Sequence, residues 1–193
     1  MKLILASASP RRAEILIAAG IQFEVRASKI DESRLTGESP EAMVERLARA
    51  KAEAVARGDH SDGPRIILGA DTVVVVDGEI LGKPGNAATA RQMLLKLRGR
   101  EHCVITGFAL MRTPENQIRF GHETTRVWFS SMTDAEVDGY VATDEPLDKA
   151  GAYAIQGIAG RYIPRIEGCY FNVVGLPLAR VWQALTDLGW PIT

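Results

Sequence analysis

Apolar positions fall in short runs separated by polar turns, and the period of the runs changes along the chain. Residues 2–6 (KLILA) form a continuous apolar run of strand length, as a buried strand requires. Ser9-Pro10 supplies an N-cap residue followed by proline at the first helical position. The helix it predicts runs to about Ala19 and stops at Gly20. Residues 21–27 (IQFEVRA) alternate like a strand. Ser39-Pro40 repeats the cap-and-proline signal and predicts a long helix to about Arg57, with Met43, Leu47, Ala50, Ala54 and Val55 as its apolar positions. Residues 65–84 (RIILGADTVVVVDGEILGKP) read as a strand, a tight Asp77-Gly78 turn and a short return strand. Asn86 caps a helix ending near Arg98-Gly99. Residues 101–112 and about 117–130 read as two long strands, with Thr113 to Asn116 as the turn between them. Thr133 and Glu136 form a capping box for a short helix. Residues 151–174 read as glycine-rich strand and loop, and LPLARVWQALTDLG (176–189) as a closing amphipathic helix. Strand–helix units mixed with hairpins predict an α/β fold, with a mixed, twisted sheet flanked by helices.

Composition narrows the function classes. A chain of 193 residues without internal repeat, low-complexity tract or linker is expected to be a single domain, 1–193. The formal net charge of −1 leaves no broad basic field, so nucleic acid is not expected as a partner. Cys103 and Cys169 sit in apolar runs and read as two buried free thiols in a reducing compartment. His60, His102 and His122 show no pattern that would give a cysteine its base. MKLILAS is too short for a signal-peptide core and is cut off by Pro10-Arg11-Arg12. No apolar stretch approaches a membrane span, so a cytoplasmic protein without a membrane partner is expected.

Four places break local rules. Asp71 lies inside the apolar strand run IILGADTVVVV. A carboxylate there costs several kcal/mol unless it is paired or metal-bound. It is either bonded to backbone at a bulge, aided by Gly69, or it stands at a pocket mouth to hold a divalent cation or act as a base. Lys51 follows Leu47 by four residues and shares the edge of the apolar stripe. It either snorkels to water or points inward as a cation awaiting an anion. Lys83 precedes Pro84, so its backbone is extended and its side chain projects from a loop. Ser7, Ser9, Arg11 and Arg12 surround a helix N-terminus directly after a strand. Cations are unfavourable in a first helical turn. The two arginines either reach nearby acids or grip something negative, and guanidinium forks suit phosphate oxygens. Glu32 and the acidic segment 143–151, together with Asp71, supply carboxylate for Mg²⁺ or Mn²⁺, which takes oxygen ligands shared with substrate phosphates. Neither a zinc spacing nor a GxxxxGK[ST] or GxGxxG loop is present. The residues sum to a polyphosphate and metal site, for which hydrolysis of a phosphoanhydride is the natural chemistry.

The same residues carry a resemblance. LASASPRR, the ESPE…RLARAKA helix, LGADTVVVVDGEILGKP, DEPLDKAGAYAIQG and NVVGLPL resemble the Maf family of nucleoside triphosphate pyrophosphatases, in the family's order and over nearly the whole chain. The resemblance implies a fold related to the inosine triphosphate pyrophosphatases, with a long mixed sheet and two lobes around a central cleft. It implies hydrolysis of a nucleoside triphosphate to monophosphate and pyrophosphate with a divalent cation, and a homodimer. It puts the proton acceptor on Asp71 and phosphate binding on Arg12, Lys51 and Lys83, with Ser7 and Arg11 beside them and the second acidic residue on Glu32. Metal ligands are then Asp71 and Glu32. Substrate choice is linked to Arg12, Thr72 and Gln156, and the combination looks like the dTTP/UTP subgroup. An amide such as Gln156 has a donor and an acceptor to match the imide edge of thymine or uracil.

Three other readings stay open on sequence alone. One is the same chemistry on 7-methyl-GTP or another modified nucleotide. Another is a non-catalytic nucleotide sensor acting through a partner in division control. The last is a nucleic-acid module, against which the net charge and the lack of aromatic–basic interleaving count.

Overall fold

The computed structural model describes residues 1–59 and 63–191; His60 lies outside the described residues. In chain order the elements are β1 (Lys2–Leu5), α1 (Pro10–Ala18), β2 (Phe23–Val25), α2 (Pro40–Arg57), β3 (Arg65–Val76), β4 (Glu79–Leu81), α3 (Ala87–Leu97), β5 (Glu101–Thr113), β6 (Gln117–Trp128), α4 (Asp134–Val141), β7 (Arg165–Glu167), α5 (Tyr170–Val174) and α6 (Leu178–Asp187). The strands form a mixed sheet in the order β2-β1-β3-β5-β6-β7, with β4 paired to β3. β1 is parallel to both β2 and β3, whereas β4 runs antiparallel to β3 and β7 antiparallel to β6. The fold is therefore the mixed α/β sheet with flanking helices that the pattern predicts.

Local chemistry sets most of the boundaries. Ser39 accepts from the Ala42 amide, Asn86 accepts from the Thr89 amide, and Thr133 and Glu136 close a full capping box. Asp77 and Gly78 both take positive φ, 51° and 76°, as a two-residue hairpin turn between β3 and β4 requires.

Three expectations need correction. The strand expected over 21–27 is only Phe23–Val25. Ile21 instead closes α1: its amide donates to the Leu16 carbonyl while Gly20, at φ 70°, reverses the chain. Of residues 151–174, expected as strand and loop, only Arg165–Glu167 is strand, and Tyr170–Val174 is helix. Gly151 and Ala152 both have positive φ, and short 3-10 segments cover Ala150–Ala152 and Ile158–Tyr162. Backbone bonds such as Gly157 to Ala154 and Gly160 to Gly157 take the place of a ladder, and only Arg165–Glu167 pairs as a strand. The two cysteines are free but only half-buried.

The chain divides into two compact units. The first comprises residues 1–71, 106–123 and 175–193; the second comprises 72–105 and 124–174. In the first, Ile4, Ala6, Ala52, Val55 and Ile67 form a core cluster between β1, β3 and α2. In the second, a larger cluster runs from Val74 and Leu94 through Phe129, Val137 and Tyr140 to Tyr153. Among the described residues no helix is long and apolar enough to cross a membrane.

Candidate active site

The first unit holds seven of the residues singled out in the sequence, Ser7, Ser9, Arg11, Arg12, Glu32, Lys51 and Asp71. They start at the β1–α1 junction. Ser9 occupies the N-cap position of α1, but its side chain caps nothing. The neighbouring hydroxyl does the work: Ser7 Oγ accepts from the Ser9 amide at 3.2 Å and from Arg12 Nη1 at 2.9 Å. Arg12 Nε donates to the Gly175 carbonyl at 2.8 Å. The guanidinium is thus oriented from two sides and is only 8% exposed. Burial pulls it below its ordinary value, while the charges of Asp71 and Glu32 pull the other way. No acidic residue occupies the first turn of α1, so that turn presents Arg11 and Arg12 at the positive end of the helix. Arg11 is half-buried and makes no ion pair among the described residues.

Lys51 is placed by α2. The buried face of this helix is Val44, Leu47, Ala48, Lys51, Ala52 and Val55, a spacing of three and four throughout. Lys51 is therefore in the middle of the buried stripe rather than at its edge. Met43, Ala50 and Ala54, which sequence assigned to the stripe, lie on its half-buried flanks. Two glycines let the helix lie this close to the sheet. A side chain at Gly69 would run into the Ala48 carbonyl, and one at Gly107 into the Val44 carbonyl. Gly69 thus serves helix packing and marks no bulge; β3 runs unbroken through it.

Asp71 lies two residues beyond Gly69 and so on the same face of β3. Lys51 Nζ is 2.6 Å from Asp71 Oδ1 and 2.7 Å from Glu32 Oε1. The ammonium does not snorkel to water: the Lys51 side chain is 10% exposed and that of Asp71 12%, against 56% for Glu32. Two carboxylates and one ammonium thus meet at one point near a buried guanidinium, with Glu32 as the member open to solvent. Charges held this way carry a large desolvation cost, which a structural pair alone does not need.

The other singled-out residues belong to the second unit. Thr72 is half-buried on β3. Lys83 is exposed in the segment between β4 and α3, ahead of buried Pro84. Gln156 is exposed in the turn that follows Tyr153. For a divalent cation the donors are the carboxylates of Asp71 and Glu32. Among the described residues no group of three or more His, Cys, Asp or Glu could hold an ion. Two hard oxygen donors converging on one cationic group nevertheless fit Mg²⁺, which commonly takes one or two carboxylates and completes its shell with water and phosphate.

Sequence reading missed Gly175, whose carbonyl orients Arg12, and gave Gly69 and Gly107 no packing role. The signal for the last two was present, since a glycine inside an apolar strand marks a close backbone approach. No local signal pointed to Gly175, which is 163 residues from Arg12.

Comparison with known proteins gives consistent relatives. The family described as Maf-like protein matches residues 2–188. The chain is 54% identical over 187 residues to a dTTP/UTP pyrophosphatase of Geotalea uraniireducens, covering 97% of this chain and 95% of that one. It is 51% identical to the dTTP/UTP pyrophosphatase of Symbiobacterium thermophilum, covering 99% and 96%, and 50% identical to that of Moorella thermoacetica, covering 97% and 95%. Among solved structures, the Staphylococcus aureus Ham1 protein is similar at a TM-score of 0.44 and 17% identity, covering 67% of this chain and 72% of that one. That likeness is too slight to carry weight.

Proposed function

The chain belongs to the family of Maf-like proteins, and on that premise we propose that it is a nucleoside triphosphate pyrophosphatase. Its substrates are dTTP, UTP and modified pyrimidine triphosphates, and its role is to clear the nucleotide pool. The observation that carries this reading is the Lys51 ammonium held by Asp71 and Glu32 beside the buried Arg12. The names of relatives about half identical to the chain give the substrate class.

In this reading Asp71 accepts the proton of a water molecule as the water oxygen attacks the α-phosphorus. The bond from that phosphorus to the bridging oxygen breaks, and pyrophosphate leaves with the electron pair. The products are the nucleoside monophosphate and pyrophosphate. Arg12, oriented by Ser7 and the Gly175 carbonyl, stabilises the charge that grows on the phosphate oxygens. Lys51 holds Asp71 in place and offers its ammonium to phosphate. Arg11 adds positive charge at the start of α1. Lys83 is assigned to phosphate, and Thr72 and Gln156 to base selection, from the family resemblance. Asp71 and Glu32 would hold Mg²⁺ or Mn²⁺, which supplies neutralisation of phosphate charge and activation of a bound water. The enzyme works in the cytoplasm as a homodimer.

Pyrophosphate release from a panel of nucleotides, with and without Mg²⁺ or Mn²⁺, tests the reading. Metal-dependent turnover of dTTP and UTP is expected. Turnover of 7-methyl-GTP alone would overturn the substrate assignment, and tight binding without turnover would make the protein a sensor.

A further inference from the structure

The acidic segment 143–151 has no part in the site described above, yet its most engaged carboxylate faces the turn that carries Gln156. All the groups concerned lie in the second unit. Glu145 Oε1 accepts from the Tyr140 hydroxyl at 2.8 Å. The same carboxylate accepts from the Ile158 amide, at 3.2 Å to Oε1 and 3.3 Å to Oε2. The Tyr140 hydroxyl also accepts from the Ala154 amide at 3.4 Å. Tyr140 is 1% exposed and packed in the core, and burial, followed by the Glu145 bond, pushes its hydroxyl well above the ordinary range. It therefore stays protonated and donates. Gly157 completes the fit, because any side chain there would occupy the space of the Glu145 carboxylate. Residues 154 to 158 are thus tied at both ends to one buried hydroxyl and one carboxylate, with Gln156 exposed at the middle.

The backbone of Glu145 is itself held. The Glu145 amide donates to Thr143 Oγ1 at 3.3 Å, and the Glu145 main-chain carbonyl accepts from Lys149 Nζ at 2.6 Å. Two consecutive positive φ values follow, at Gly151 (68°) and at fully buried Ala152 (60°). An alanine in this conformation costs of order 1 kcal/mol and persists only where its surroundings over-determine it. The Gly151 amide donates to the Gly82 carbonyl at 3.1 Å, which ties the segment to the residue before Lys83. A free surface loop needs none of this.

We propose that Glu145 is a positioning residue for base selection. Together with Tyr140 it fixes the Gln156 turn, so that the side-chain amide is offered to the imide edge of a pyrimidine from one position. The proposal rests on the reading of Gln156 given above. A turn free to shift would let the Gln156 amide withdraw from the base edge, and the bonds that tell one pyrimidine from another would weaken. A held one discriminates, because the wrong base leaves a polar group unpaired.

Two measurements on Glu145→Ala and Tyr140→Phe test this. Tyr140→Phe keeps the core volume and removes only the hydroxyl, so it serves if Glu145→Ala folds poorly. In hydrogen exchange, the amides of residues 154 to 158 should lose about tenfold of their protection, with α2 and β3 unchanged. In kinetics, the preference for dTTP over dCTP in kcat/KM should fall by about tenfold, the equivalent of one hydrogen bond. The loss should appear in KM for dTTP while kcat holds. Adding either change to Gln156→Ala should lower the preference no further, because both act through that amide. Wild-type preference in both variants, or additive loss on top of Gln156→Ala, would overturn the proposal. If the wild-type protein hydrolyses neither dTTP nor UTP, the functional reading fails, and exchange alone then judges the hold. Protection lost in the variants supports it, and protection kept overturns it.

Discussion

Lys51 and His102 are both polar side chains held in apolar surroundings, one in each compact unit, and they are held in different ways. His102 is 2% exposed. Its Nε2 lies 2.7 Å from the Tyr153 hydroxyl, and its ring sits 5.7 Å from Phe129 and 5.4 Å from Tyr153. Burial, opposed only by Glu101, lowers its pKa to about 4, so the ring is neutral at neutral pH. Lys51 instead meets two carboxylates, with a guanidinium near enough to respond to both. A buried ring kept neutral, bonded to one hydroxyl through Nε2 and with Nδ1 unbonded among the described residues, is a piece of core among aromatic neighbours. Several charges gathered in one partly closed place cost more than packing needs, and that excess marks a site.

The contrast can be broken by substitution, and the effect on turnover should shrink in a definite order. Asp71→Asn keeps shape and an acceptor oxygen for Lys51 but removes the base. Pyrophosphate release should fall by about a thousandfold or more with the urea midpoint little changed. Turnover near wild type would end the assignment of Asp71. Lys51→Met should cost about a hundredfold in turnover and also destabilise the fold, since it leaves Asp71 buried without its ammonium. The double variant Lys51→Met/Asp71→Asn should then be more stable in urea than Lys51→Met alone. A double variant that is less stable would mean the pair is simply structural.

Gly69→Ala tests the platform. The new methyl meets the Ala48 backbone, so α2 must move. A loss of about 2 kcal/mol in stability is expected, with a smaller drop in turnover than for Lys51→Met. His102→Phe should leave turnover at neutral pH unchanged, and its effect should appear in acid. A base with a lowered folded pKa favours the unfolded chain as pH drops below its ordinary 6.5, and the effect levels off near the folded value of about 4. The wild type should lose about 3 kcal/mol over that window from this group, and His102→Phe should lack that component in urea titrations at pH 4 and 6.5. An unchanged acid slope would move the effect to another group.

Legibility followed distance along the chain. Ser39, Asn86, the Asp77-Gly78 turn and the Thr133–Glu136 box bind groups two or three residues away, so their chemistry is written in adjacent letters. Asp71 was legible as a misfit because a carboxylate in an apolar run must find a partner. Its partner was open, and so was the direction of the Lys51 side chain, because a lysine on the edge of an apolar stripe can reach water or turn inward. Residues 151–174 were legible as strand and loop but not in detail, because positive φ at Gly151 and Ala152 depends on the packing of Val74 and on the bond to Gly82.

By itself the sequence determined the element order, the capped helix starts, the turn positions and the list of charged residues out of place. Only the tertiary structure decided which of those charges meet. Lys51 and Asp71 are 20 residues apart, and Arg12 and the Gly175 carbonyl are 163 apart. Short-range bonds lose little chain entropy and form from local preference. Long-range ones form only after the sheet, and the two glycines under α2, have brought their partners within reach.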